Sequence, residues 1–318
     1  MINTANLLPT IISPKKTFEK GMEKSKKSQQ ILSFSQANSI LESRQFFIEI
    51  SDDIHIVKCG RFIERKLKVI EKEYFTQVED QLNWSMDTAV KKVLGEMRKM
   101  PLFFIHGFVG AKSRLAQKTV LGFKYFYLQD HSSVNYNIMH IVWGSTKLNY
   151  GHSKRVIANS AKSLGRLINQ LAQKSPTKKI NLLCHSMGSQ FLLETMKAGY
   201  LSDCVVDKMI FAAADFDSKD FILQEKRVTD FAEKILILYH KRDRILAAAS
   251  VRNNGLRLGQ KKPTKMNASQ FVFLDCTHFK IEHTLVAKWN KHTYFLASDE
   301  VRGYLHEFLG KGKIKTFM

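Results

Sequence analysis

A chain of 318 residues, 44% hydrophobic and 25% charged, is long enough for a full core and has the composition of a globular protein. No apolar run approaches the roughly 20 residues of a membrane-spanning helix. Leu7, Leu8, Ile11 and Ile12, interrupted by Pro9, are too short a run for a secretory signal.

Four widely separated cysteines (Cys59, Cys184, Cys204, Cys276) include no Cys-x-x-Cys pair, which argues against a zinc site and against a disulfide framework. A reducing, cytoplasmic setting is expected, with no metal and no organic cofactor. The net charge of +21 is uneven: residues 101–200 carry thirteen Lys and Arg against two acids, Asp130 and Glu194. Such a balance fits a solvated lysine-rich face or attraction to an anionic membrane surface. No nucleic-acid motif accompanies it, so no specific nucleic-acid partner is expected, and oligomeric state is left open.

In chain order, residues 1–30 are polar and basic, with Lys24, Lys26 and Lys27 clustered, and read as a flexible tail. Residues 31–100 form an extension. Within it, Gln45–Ile50 and His55–Cys59 are expected as a strand hairpin turning at Ser51-Asp52-Asp53. Helix is expected from Arg61 to Met100, because Ile63, Leu67, Ile70 and Tyr74, and then Met86, Val90, Val93 and Met97, recur at three and four residues.

Past Pro101 the pattern alternates. Strands are expected at Leu102–Ile105, Asn137–Trp143, Lys179–Leu183, Val206–Ala213, Lys234–Tyr239 and Phe271–Leu274. Helices are expected at Val156–Leu171, with Ile157, Ala161, Leu164, Ile168 and Leu171 on one side, and at Val301–Leu309. Strands separated by helices imply right-handed crossovers and a mostly parallel central sheet flanked by helices, an α/β fold spanning residues 101–310, with a basic C-terminal tail at 311–318. Ligand sites in such sheets gather at the carboxyl ends of the strands. His106, Ser186, Asp215, Asp217 and Asp243 all follow strands closely. The Phe221–Phe231 segment is the one candidate for a small lid.

The most specific signal is Ile180-Asn181-Leu182-Leu183-Cys184-His185-Ser186-Met187-Gly188. It is an apolar strand running into a serine with small residues two before and two after it, followed by an unbroken helical segment from Gln190. A strained strand-to-helix turn needs those small neighbours to let the backbones pass, and it exposes the serine hydroxyl at a helix N-terminus. Cys184 stands where glycine is usual; Gly188 fills the second position.

A serine hydroxyl needs a base, and the base needs an acid to orient it. Asp243, just after the strand Lys234–Tyr239, is the best acid, with Asp215 and Asp217 as alternatives. His278, His283 and His292 all follow the last strand, and spacing leaves that choice open. An oxyanion hole requires two backbone N–H groups. Met187 offers one, and Phe108, after the close-approaching His106-Gly107, offers the other.

With these residues in view, the chain resembles the α/β-hydrolase superfamily, and more narrowly the bacterial α/β-hydrolases of unknown function that are esterase- or lipase-like by fold. The matching pieces are Phe104-Ile105-His106-Gly107-Phe108, Val142-Trp143-Gly144-Ser145, His185-Ser186-Met187-Gly188, Ala213-Ala214-Asp215-Phe216-Asp217, Leu238-Tyr239 before Asp243, Arg257-Leu258-Gly259 and His292-Thr293-Tyr294-Phe295.

The resemblance implies Ser186 as nucleophile, Asp243 as acid and His292 as base, and it raises His292 above His278. It has two departures: Gly144 follows Trp143 where proline is usual, and Gly151-His152-Ser153-Lys154 lacks the acid expected after Tyr150. The expected activity is hydrolysis of a carboxylic ester or thioester. Acyl transfer through the same residues, or a catalytically silent fold that binds an anionic membrane or a partner, are the alternatives.

Overall fold

The computed structural model describes residues 45–50, 56–64, 76–96, 101–108, 137–144, 149–203, 205–266, 268–281 and 291–311. The two tails, His283 and the Leu67, Ile70, Tyr74 and Met97 positions of the helical reading lie outside them. Nine strands form one sheet in the order β3-β2-β1-β5-β4-β6-β7-β8-β9. They are β1 Gln45–Glu49, β2 Ile56–Glu64, β3 Thr76–Ser85, β4 Pro101–Ile105, β5 Asn137–Val142, β6 Ile180–His185, β7 Val206–Ala212, β8 Ala232–Tyr239 and β9 Phe271–Asp275.

From β1 through β5, β4, β6, β7 and β8 to β9, every neighbouring pair is parallel. β2 pairs antiparallel with β1, in a register of Gln45 opposite Phe62, and β3 antiparallel with β2. The hairpin is therefore the margin of the same sheet that carries the strands past Pro101.

One expectation changes here. The stretch from Arg61 to Met100 is not helical throughout: among the described residues β2 runs on to Glu64, Thr76–Ser85 is a strand, and helix α1 covers Met86–Glu96. Val78 and Leu82, four apart, suit a strand as well as a helix, whereas Leu82 and Trp84, two apart, share a face only on a strand. Pairing with β2 supplies the backbone hydrogen bonds that decide between them.

The central strands are apolar on both faces, as a sheet covered twice requires. In β4, Phe103 and Ile105 enter one core and Leu102 and Phe104 the other. In β6, Leu182 and Cys184 oppose Leu183; in β8, Ile235 and Ile237 oppose Leu236 and Leu238. Truncating one such leucine to alanine costs about 2–5 kcal/mol.

The first core is closed by α1, α2 (Tyr150–Lys174) and α3 (Met187–Lys197); the second by α7 (Tyr294–Ala297) and α8 (Asp299–Lys311). Ile157, Ala161, Leu164, Ile168 and Leu171 of α2 are all buried, as their spacing predicts. Asn149 caps α2 by accepting the His152 N–H at 2.9 Å.

The Phe221–Phe231 segment is not a cover. It forms α4 (Ser218–Leu223) and α5 (Glu225–Phe231), whose Phe221, Val228 and Phe231 are core residues. Phe221 packs against the rings of Phe211, Phe216 and Phe271. α6 (Arg244–Asn253) follows β8. Among the described residues no helix is long and apolar enough to cross a membrane.

Candidate active site

Ser186 stands between the end of β6 and the start of α3 with φ 52° and ψ −124°, a left-handed backbone that non-glycine residues adopt only under constraint. Its own backbone is tied down. The Ser186 N–H donates to Ala212 O at 3.1 Å, and its carbonyl accepts from Ser189 and Asp215 at 3.0 and 3.2 Å. The hydroxyl makes no capping hydrogen bond to the helix that follows.

The small neighbours are needed. A Cβ on Gly188 would stand 2.4 Å from Ile105 O and 2.6 Å from His106 O, and one on Gly107 would meet the Ser186 Cβ at 2.7 Å. Cys184 is accommodated at the other small position because its side chain turns fully into the core.

Gly107 therefore brings the end of β4 against the serine, with Phe108, half-buried, next along the chain. Met187 is buried at the first position of α3. The β4 loop is braced by His106, whose ring stacks on Trp143 at 5.4 Å. The Trp143 N–H donates to His106 Nε2 at 3.2 Å, and Trp143 Nε1 to His106 O at 2.9 Å. Burial pulls the pKa of His106 down to about 4, so the ring is neutral near pH 7.

Asp243 and His292, 49 residues apart, meet: His292 Nδ1 lies 2.8 Å from Asp243 Oδ2, both residues being buried. Asp243 Oδ1 accepts the Leu246 N–H at 2.9 Å and so caps α6. For His292, burial pulls the pKa down, but the charge of Asp243 and its hydrogen bond outweigh burial and raise it above its ordinary value. His185 is packed on His292, ring centroids 4.8 Å apart, and hydrogen-bonds its backbone. Burial holds the His185 pKa well below the usual range.

The remaining acids have other partners. Asp217 caps α4 through the Lys219 N–H at 2.8 Å and lies 3.8 Å from Arg257. Asp215 is buried beside the serine turn, where it accepts the Tyr150 hydroxyl at 3.1 Å and has Arg257 Nε at 4.0 Å. His278 is exposed in the turn after β9.

Sequence reasoning passed over the Tyr150–Asp215 bond, although an aromatic opening a helix beside a strand-end acid was its visible sign. It also passed over the brace between Trp143 and His106. Among the described residues no group of three or more His, Cys, Asp or Glu is placed to hold a metal ion.

A strained serine at a strand-to-helix turn, a parallel sheet covered on both faces and a histidine–aspartate pair at the strand ends define the α/β-hydrolase class. The chain belongs to the family described as alpha/beta hydrolase of unknown function (DUF900), whose model matches residues 83–310. No curated protein matches the sequence. Among solved structures, the lipase B of Aspergillus fumigatus matches at 17% identity and a TM-score of 0.25, over 38% of this chain. The chain spans about a quarter (26%) of that lipase.

Proposed function

We propose that the protein is a serine hydrolase that cleaves a carboxylic ester or thioester through an acyl-enzyme on Ser186. Asp243 accepts a hydrogen bond from the Nδ1–H of His292, which leaves Nε2 as the basic nitrogen. His292 takes the Ser186 proton as Oγ attacks the acyl carbon. The backbone N–H groups of Met187 and Phe108 donate to the oxyanion that develops.

Collapse of the tetrahedral intermediate breaks the bond to the alcohol or thiol, which leaves with the proton from His292. Water then loses a proton to His292 and attacks the acyl group, and Ser186 recovers its proton as the carboxylic acid departs. No step draws on a metal or an organic cofactor.

The observation that supports this reading is the backbone of Ser186, φ 52° and ψ −124° at a strand-to-helix turn, next to His185, which packs on the histidine paired with Asp243. Its test is a fluorophosphonate probe on wild type, Ser186→Ala and His292→Ala. Labelling of wild type alone is expected. Equal labelling of Ser186→Ala would remove the assignment.

A further inference from the structure

Among the described residues five large apolar side chains are exposed, and three of them, Ile245 (42%), Val251 (85%) and Leu256 (46%), fall on α6 or just beyond it. The inner face of α6 is spent on Leu246 and Ala249, which are buried. At 100° per residue, Arg244, Ala247, Ala248 and Val251 share the opposite face, with Ile245 and Arg252, whose guanidinium lies over the Tyr150 ring, at its edges. All six are exposed. The outward face is thus an aliphatic strip between arginines.

Its charge has one sign. From Arg244 to Leu274 the sequence contains no Asp or Glu, but it contains Arg244, Arg252, Arg257, Lys261, Lys262 and Lys265. Of these only Arg257 is buried. Ser250 of α6 donates to Gln260, so the lysine-bearing stretch begins beside the helix. The position of the helix also matters. Its N-cap is Asp243, the residue bonded to His292, and so α6 leaves the sheet directly from the candidate site.

We infer that α6 and the stretch after it are a docking surface for an anionic lipid bilayer. An amphipathic segment with aliphatic residues between cations lies in the interface plane, its apolar side chains at the headgroup boundary and its cations on lipid phosphates. Ile245 and Val251 supply the first and Arg244 and Lys261 the second. A nucleic-acid backbone would reward the cations alone and would leave the aliphatic centre of the face against phosphate.

A further consequence, that the bilayer presents a membrane-borne ester to Ser186, rests on the proposed activity. The docking itself does not.

The test is sedimentation of the full-length chain with vesicles of phosphatidylcholine alone or of phosphatidylcholine with phosphatidylserine. Binding is expected only with phosphatidylserine, and it should fall as salt rises. Arg244→Glu should weaken it by at least about fivefold, since each cation near such a surface contributes roughly that factor. Val251→Glu should weaken it by about tenfold or more through lost burial and added repulsion. Lys234→Glu, near the start of β8 and so at the opposite end of the strand that α6 follows, is the control and should change binding little.

Thermal unfolding of each variant separates lost docking from lost folding. Equal binding to phosphatidylcholine alone, full binding of Val251→Glu, or an equal loss with Lys234→Glu would overturn the inference. So would absent vesicle binding with RNA binding that survives Val251→Glu, which would make the surface a nucleic-acid face. Fluorophosphonate labelling of Ser186 without vesicles is read separately, so failure of docking and failure of the hydrolase reading are distinguishable.

Discussion

Asp243 divides its two carboxylate oxygens between two elements: Oδ2 meets His292 Nδ1 at 2.8 Å, and Oδ1 accepts the N–H of Leu246 at 2.9 Å. The helix cap fixes the carboxylate, and the carboxylate fixes the imidazole. Asp243→Asn keeps an oxygen for the cap but presents the wrong partner to His292. Turnover should drop by about 10⁴ while stability stays within about 1 kcal/mol of wild type. Asp243→Ala should be as inactive and about 1 kcal/mol less stable again, from loss of the cap. Steady-state kinetics with denaturant unfolding checks both. Wild-type turnover in Asp243→Asn would move the acid role elsewhere.

The pH dependence has a defined sign. As the proposed base, His292 must be neutral to take a proton, and Asp243 raises its pKa above 6.5 against the lowering effect of burial. Activity should therefore fall as pH drops through a value above 6.5. His185 cannot supply that limb, because burial holds its pKa well below 6.5. In Asp243→Asn the limb of the residual activity should shift to lower pH. A profile of kcat/KM with its acid limb below 6.5 in wild type would contradict the assignment.

Ser186→Gly should separate catalysis from stability. Glycine tolerates φ 52° without a Cβ penalty, so the variant should lose turnover and yet unfold about 1 kcal/mol later than wild type. Unfolding in urea with an activity assay on the same preparation decides it. A less stable Ser186→Gly would mean that the turn stores no strain.

Two glycines should respond in opposite directions to alanine. A Cβ at Gly188 would press on the backbone oxygens of Ile105 and His106 at 2.4 and 2.6 Å, and β4 cannot yield without disturbing its pairing with β6. Gly188→Ala should cost about 1–3 kcal/mol or more, together with activity. Gly303, in α8, has nothing within 4 Å of its added Cβ, and Gly303→Ala should add roughly 0.5–1 kcal/mol. Calorimetry of the two variants is sufficient.

The chain past Pro101 was readable because its signals are local. Each central strand is a short apolar run bounded by polar turns, and α2 declares its buried face by spacing alone. Gly107, Ser186 and Gly188 mark a turn whose geometry depends on the size of three neighbouring residues. The Thr76–Ser85 stretch was misread for the complementary reason. Its Val78-to-Leu82 interval serves either period, and it becomes a strand by pairing with β2, a partner its own sequence does not name.

The succession of strands and helices past Pro101 and the serine at its turn were thus legible in the sequence itself, through periodicity and the steric demand for glycine, and its motifs carried the family resemblance, while the order of the strands in the sheet was not. Spacing alone left the histidines open and the resemblance favoured His292; what the tertiary structure adds is the geometry of each candidate. Of the two described histidines past the last strand, His292 lies 2.8 Å from Asp243 in a buried pair, while His278 is exposed in a turn. Asp215 and Asp217 bond to Tyr150 and to the backbone of α4 instead. A contact across 49 residues leaves no periodic trace, because it is made where the ends of separate strands converge.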